Sequence, residues 1–279
     1  VPIKDLKAQQ VQDMVNALKE EGYAWSTVKK AYDAVNNCFR TAALQGVIKR
    51  SPALGVTMPR KSMFGKTEIR YYSEDEAKTI CATAVSKWGN GVPIYRLGDI
   101  VLVAFNTGLR YGELLALKWK DHIDFENRLI HVRETRVVVR NQKTRKYEVI
   151  TQDSAKSETS SRDVYINNMA YEALKRLYAV TGQYEMVLST REGKPILPRN
   201  LDRMLRKILV MAKLPEEKIY GFHALRHTYA TLLFRKGVEI KIISETLGHS
   251  DVSTTYNTYI HVAKQQKEAA ALAVGEVLT

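Results

Sequence analysis

The spacing of the apolar residues changes period twice along this 279-residue chain, and that switch limits the folds open to it more than any other feature. Before Arg128 the spacing is helical. Val11, Met14, Val15 and Leu18 form one stripe, and Val28, Ala31, Tyr32, Val35, Phe39 and Ala42 form a second. Intervals of three and four residues place such side chains on one face of a helix. From Arg128 to Ile166 the residues become β-branched and alternate, as in LIHVRETRVVV, KYEVIT and RDVYI, which predicts about three antiparallel strands. From Asn167 onward the helical spacing returns through AYEALKRLYAV, LDRMLRKILVMA, HALRHTYATLLF and IKIISETL. The expected fold is mainly α with a small antiparallel β-sheet.

Local signals divide the chain further. Gly46 ends the second helix, and SPALGVTMPRKSMFGKTE then holds the prolines and glycines of a linker, which puts a boundary near Lys66. Ser73 and Glu76 in SEDE form a capping box that opens a helix expected to reach Trp88. PIYRLGDIVLVAFNTG reads as a mostly apolar helix ending at Gly108, and LRYGELLALKW as another after a tight break. The expected division is a small helical domain and linker at 1–65, a larger domain at 66–264, and a C-terminal Ala-rich helix at 265–279.

Charge bears on the partner. Lys and Arg number 43 against 30 Asp and Glu, a formal charge of +13, which favours a polyanion such as nucleic acid. Cys38 and Cys81 sit in apolar helical stretches and form no disulfide framework, as suits a reducing compartment. No stretch approaches the roughly 20 apolar residues that cross a bilayer, and VPIKDLKAQQ lacks the apolar core of a secretion signal. These signs suit a soluble, cytoplasmic protein.

Three separated stretches carry the chemistry: TGLRYGELLAL at 107–117, HALRHTYATLL at 223–233 and LGHSDVSTTYNTYIHV at 247–262. In this order they resemble the tyrosine recombinase family, the integrases of phages and conjugative transposons and their Xer-type relatives. The resemblance implies a tyrosine-recombinase catalytic domain preceded by a small helical core-binding domain. It makes Arg110 and Arg226 the catalytic arginines, Glu113 an acidic helper, and His223 the partner of Arg226 in His-x-x-Arg. His249 becomes the third basic position and Tyr259, in Tyr-Ile-His, the nucleophile. AKSETSSRDVYI resembles the family's hairpin, with Lys156 as its lysine ahead of Ser-x-Arg. Tyr256 competes with Tyr259. It stands seven residues after His249 whereas Tyr259 stands ten after it, and the wider gap with Thr-Tyr-x-His resembles the Gram-positive branch of the family.

The residue types fit the reaction the resemblance implies, in which DNA strands are cut and rejoined through a covalent 3′-phosphotyrosine. Attack on a phosphodiester builds negative charge on the non-bridging oxygens, and fixed guanidinium forks match those oxygens. A phenol with a pKa of about 10 needs a base or a cationic setting, which points to His223. The departing 5′-hydroxyl needs a proton, which points to Lys156. His249 is expected to donate a hydrogen bond to the phosphate. No cofactor is expected: His223 and His227 stand four apart as in a zinc-protease helix, yet Ala224 occupies the place of the required Glu.

Phosphate contacts are expected from Lys29 and Lys30 on the second helix, from Arg60, Lys61 and Lys66 in the linker, and from Arg140, Lys143 and Arg145 in the central hairpin. The resemblance further implies double-stranded DNA attachment sites, assembly from dimer to tetramer, an excisionase partner, a place on the bacterial nucleoid, and earlier helices lying outside this chain. Two other readings remain: a helix-turn-helix regulator built on IKIISETLGHSDVSTTYNTY with Gly248 in the turn, and a Xer-type or type IB topoisomerase-like strand transferase.

Overall fold

The computed structural model describes residues 1–64, 69–153, 161–253 and 255–256. The chain divides into two compact units, Val1–Glu68 and Ile69–Thr279. The expected boundary residue Lys66, the catalytic candidates Lys156 and Tyr259, and the C-terminal 265–279 segment all lie outside the described residues.

The first unit is a pair of helices, α1 (Ala8–Glu20) and α2 (Trp25–Leu44), with Val11 and Val15 of α1 and Val28, Phe39 and Ala42 of α2 buried. The stretch read as a linker is in its first half part of this unit. Ala53, in a 3₁₀ turn at Pro52–Gly55, is buried beside Val11 and Phe39, and the Tyr32 hydroxyl donates to its carbonyl at 3.2 Å. The Gln12 amide pairs with the Thr57 backbone in both directions, donating at 3.2 Å and accepting at 2.8 Å, while the Trp25 indole donates to the Pro59 carbonyl at 3.0 Å. Proline and glycine content signals irregular backbone but says nothing about side chains elsewhere that tie it down.

The second unit is built around α4 (Asp99–Thr107), in which Ile100 through Phe105 and Thr107 are all buried. A helix apolar on every side must be covered on every side. Accordingly α7 (Asn168–Thr181) and α9 (Phe222–Arg235) pack against it, and α3 (Glu74–Ala84) lies alongside. Gly108 closes α4 in the left-handed conformation, φ 61°, and the chain turns at once into α5 (Tyr111–Ala116) and α6 (Trp119–His122). The described residues also form α8 (Pro198–Met211) and α10 (Ile240–Leu247).

The α3 helix begins at the expected capping box, with Ser73 and Glu76 each bonded to the other's backbone, but it stops at Ala84 rather than Trp88. Gly89, Asn90 and Gly91 turn the chain back so that Trp88 N–H donates to Val92 at 2.8 Å and Ile94 N–H to Ser86 at 3.0 Å. The next helix consequently starts at Asp99 and not at Pro93.

The β region holds more strands than expected, in two sheets. β1 (Ile123–Asp124), β2 (Leu129–Val132) and β5 (Arg162–Tyr165) form one antiparallel sheet in the order β1-β2-β5. β3 (Glu134–Arg140) and β4 (Tyr147–Asp153) form a separate hairpin, with Glu134 opposite Asp153 and Arg140 opposite Tyr147. The single run LIHVRETRVVV is divided at Arg133, whose guanidinium bonds the Val132 and Arg162 carbonyls and Asp163. Alternation continues across that break because both strands have period two. Only the change of pairing partner reveals it.

Leu174 lies fully buried on α7 within the cluster that covers α4. Leu174→Ala should lower unfolding stability by about 2–5 kcal/mol, read as a fall in the urea midpoint at unchanged slope. A cost below about 1 kcal/mol would mean that this interface collapses readily around the cavity.

Candidate active site

Three basic side chains from distant parts of the sequence converge on the end of α10. A helix leaves its last carbonyls without intrahelical partners, and they carry partial negative charge. Here Arg162 Nε donates to the Thr246 carbonyl at 2.7 Å, Arg226 Nη2 to Leu247 at 2.7 Å, and Arg110 Nη2 to Gly248 at 2.6 Å. Arg110 precedes α5, Arg162 opens β5, and Arg226 sits one turn into α9. Arg226 also reaches back to the Gly108 carbonyl at 2.8 Å, which joins the end of α4 to the same cluster.

Two glycines make room for this convergence. Gly108 and Gly248 both have left-handed backbone, φ 61° and 67°. A Cβ at Gly108 would lie 2.4 Å from the Tyr229 ring, and one at Gly248 would lie 2.8 Å from Arg162 Nη1. Backbone conformation and available space thus exclude a side chain at either place.

Glu113 is the acidic partner of two of the arginines. Its carboxylate accepts Arg162 Nη1 at 3.0 Å and Nη2 at 2.9 Å, Arg110 Nη1 at 2.8 Å, and the Arg110 backbone N–H at 2.8 Å. The side chain is only 2% exposed. Burial alone raises its pKa, but the bonds and charge of Arg162, followed by those of Arg110, outweigh it and hold the group at about 2. Its ionisation therefore favours folding above the ordinary value of 4.5, and that contribution is lost as pH falls toward 2.

His249 follows Gly248 directly. Its Nε2 lies 2.9 Å from Arg226 Nη2, and its Nδ1 lies 2.7 Å from Thr255 Oγ1. A guanidinium only donates, so Nε2 accepts and the proton of the neutral ring resides on Nδ1, pointing at Thr255. Desolvation, then the charges of Arg226, Arg110 and Arg162, push its pKa down to about 4. Nε2 of His249, the nitrogen that faces the arginines, is thus engaged with Arg226.

His223 and His227 share one face of α9 with Arg226, and their rings meet edge to face at 4.5 Å. Desolvation, then Arg226 and Arg110, lower the pKa of His223, although the residue lies on the exposed side of the helix. For His227 desolvation, then its histidine and arginine neighbours, bring the value down to about 4. Both rings are neutral at pH 7. Arg226 itself is only 3% exposed, whereas the Arg110 side chain is 37% exposed.

The structure thus brings Arg110, Glu113, His223, Arg226 and His249 together. The half-exposed Tyr256 stands immediately before the undescribed 257–279 segment. Lys29 and Lys30 lie in the first unit, where Lys29 pairs with Asp33 at 2.8 Å. Arg140 and Arg145 are exposed at the hairpin tip, joined by a bond from Arg140 Nε to the Arg145 carbonyl at 3.2 Å. Arg162 is the member that sequence reasoning passed over. The signal for it was its place after Ser-x in the hairpin pattern, where only the lysine drew attention. Among the described residues no group of His, Cys, Asp or Glu is arranged to hold a metal ion, and no helix is long and apolar enough to cross a membrane.

Nitrogen-resolved NMR should find His249 as the neutral Nδ1–H tautomer at pH 7, with titration setting in only near pH 4. Protonation near its ordinary value of 6.5 would contradict the bond to Arg226. Because unfolded histidines take up protons near 6.5 while His227 and His249 resist until about 4, folding stability should fall across that window as pH drops.

Residues 70–266 match the phage integrase family. A "Tyrosine recombinase XerC-like" protein of Caldanaerobacter subterraneus subsp. tengcongensis is 35% identical over 290 residues, spanning 96% of this chain and 70% of that protein. The ICEBs1 integrase of Bacillus subtilis is 27% identical over 278 residues, spanning 96% and 70%. The fold is shared with the Tn1549 transposon integrase, solved in complex with transposon right end DNA, at a TM-score of 0.74 and 23% identity over 97% of this chain and 87% of that one. With a family match across most of its length and a relative above 30% identity, the chain belongs to the phage integrase family of tyrosine recombinases.

Proposed function

We propose that this recombinase integrates and excises a mobile DNA element, and that Arg110 and Arg226 hold the scissile phosphate. The observation that carries the reading is their common anchorage: the two guanidiniums bind the consecutive carbonyls Gly248 and Leu247, so they stand side by side with Arg110 partly open to solvent. Rigidly held cations stabilise charge that develops only in the transition state, without reorganising when it appears.

In the proposed sequence the Tyr259 hydroxyl loses its proton to His223, whose ring is neutral at working pH and free to accept. The phenolate oxygen attacks phosphorus, the P–O5′ bond breaks, and Lys156 gives the departing 5′-oxygen its proton. A 5′-hydroxyl from another strand then attacks the phosphotyrosine, reverses these transfers and frees Tyr259. His249 serves first by accepting from Arg226 and so orienting that guanidinium.

Double-stranded attachment sites, assembly from dimer to tetramer, an excisionase partner and a cytoplasmic, nucleoid-associated setting complete the proposal. The integrase relatives and the DNA in the Tn1549 complex support the DNA and mobile-element parts. The core-binding role falls to the first unit, with Lys29 and Lys30 on phosphates. The regulator and topoisomerase-like readings are not favoured, since the relatives are recombinases and integrases.

A suicide DNA substrate carrying the attachment site should trap a covalent protein–DNA adduct with wild type and none with Tyr259→Phe. Arg226→Ala should slow trapping by about 100- to 1000-fold. An adduct retained by Tyr259→Phe moves the nucleophile to Tyr256, and a wild type that binds its site without any adduct returns the chain to the regulator class. At the hairpin, replacing Arg140, Lys143 and Arg145 with alanine should weaken DNA binding and flatten the salt dependence by about 0.9 in log–log slope per lost phosphate contact. An unchanged slope would remove the hairpin from the DNA contacts.

A further inference from the structure

We infer that Arg162 is a positioning residue for strand cleavage, one that keeps the charge of Arg110 available to the phosphate. The inference rests on the phosphate-binding role proposed for Arg110. Of the two converging arginines that touch Glu113, Arg162 is the more enclosed, with 8% side-chain exposure against 37% for Arg110. The bonds of its guanidinium go to the protein: two parallel bonds to Glu113 and one to the Thr246 carbonyl. It therefore does not face substrate.

Its effect is first electrostatic. Arg110 and Glu113 alone would form a neutral pair, in which the carboxylate at 2.8 Å cancels the attraction that Arg110 exerts on a phosphate. With Arg162 on the other side of the same carboxylate, the three groups carry one net positive charge. The exposed member of the three is Arg110, so the surplus emerges there. Arg162 is also the largest influence, after burial, on the ionisation of Glu113.

Its second effect is geometric. Glu113 fixes Arg110 through both the guanidinium and the backbone N–H, and the bidentate fork of Arg162 fixes Glu113. The third bond holds the end of α10 three residues before His249. One guanidinium thus sets two of the groups expected at the phosphate. Gly248 shows that the site accommodates it: the left-handed glycine leaves open the space that Arg162 Nη1 occupies. Lysine carries the charge but has a single ammonium and cannot reproduce a fork plus a third bond.

The test is single-turnover cleavage of a pre-bound suicide substrate, with DNA affinity and thermal unfolding measured in parallel. Arg162→Gln should bind DNA as wild type does yet cleave at least about 100-fold more slowly, as expected when fixed charge at the transition state is reduced. The double variant Glu113→Gln, Arg162→Gln should cleave faster than Arg162→Gln alone, because removing the carboxylate returns the charge of Arg110. A role in folding alone predicts no such recovery. Should Arg162→Gln fail to fold, Arg162→Lys carries the test, with cleavage slower by about tenfold at unchanged affinity. Wild-type cleavage by either single variant, or a double variant no faster than Arg162→Gln, overturns the inference. Absence of an adduct with wild type would instead overturn the underlying recombinase assignment of the phosphate site, so the two failures are distinguishable.

Discussion

The end of α10 is an anion built from backbone, and the site is organised by neutralising it. Three consecutive carbonyls, those of Thr246, Leu247 and Gly248, accept from three guanidiniums that are 52 or more positions apart in sequence. Charge-assisted bonds of this kind are about twice as strong as neutral ones and directional. They gather α5, β5 and α9 at one point and fix the approach of the chain into His249. Both flanking glycines, at the ends of α4 and α10, are consequences of how close the groups come.

That arrangement determines the protonation states around it. Glu113 remains ionised despite burial because Arg162 and Arg110 hold it, and His249 remains neutral because burial, then the charges of Arg226, Arg110 and Arg162, oppose a positive charge on its ring. The cluster is positive overall while none of its cations is left bare in a low-dielectric interior, where an unpaired charge costs several kcal/mol. Under the phosphate-binding role proposed for Arg110 and Arg226, a phosphate would meet cations already in position, so that little reorganisation remains for the chemical step. The part of the site that must stay rigid rests on α4 and α9, both of which bury most of their residues.

Much of this was legible beforehand, for identifiable reasons. The apolar periods located most helices, because a helix that buries one face must repeat every three or four residues. Arg110, His223, Arg226 and His249 were legible because they fall in three motifs whose order is specific. Other features escaped the pattern. The break at Arg133 is invisible to a period-two signal, the end of α3 depends on a turn at Gly89–Gly91, and the stretch 51–59 is held by Gln12 and Trp25 from far upstream. Arg162 was overlooked because one arginine at the start of a strand resembles any exposed cation until its partners are known.

By itself, then, the sequence determined the family, the alternation of helical and strand segments, and the identity of most residues expected at the phosphate, all properties carried by residue type and local spacing. The tertiary structure alone decided which cations pair with which acceptors. It placed Arg162 between Glu113 and Thr246 and turned Nε2 of His249 toward Arg226. Hydrogen bonds and charge interactions act over a few ångströms in space, and chain separation says nothing about that distance until the core has packed.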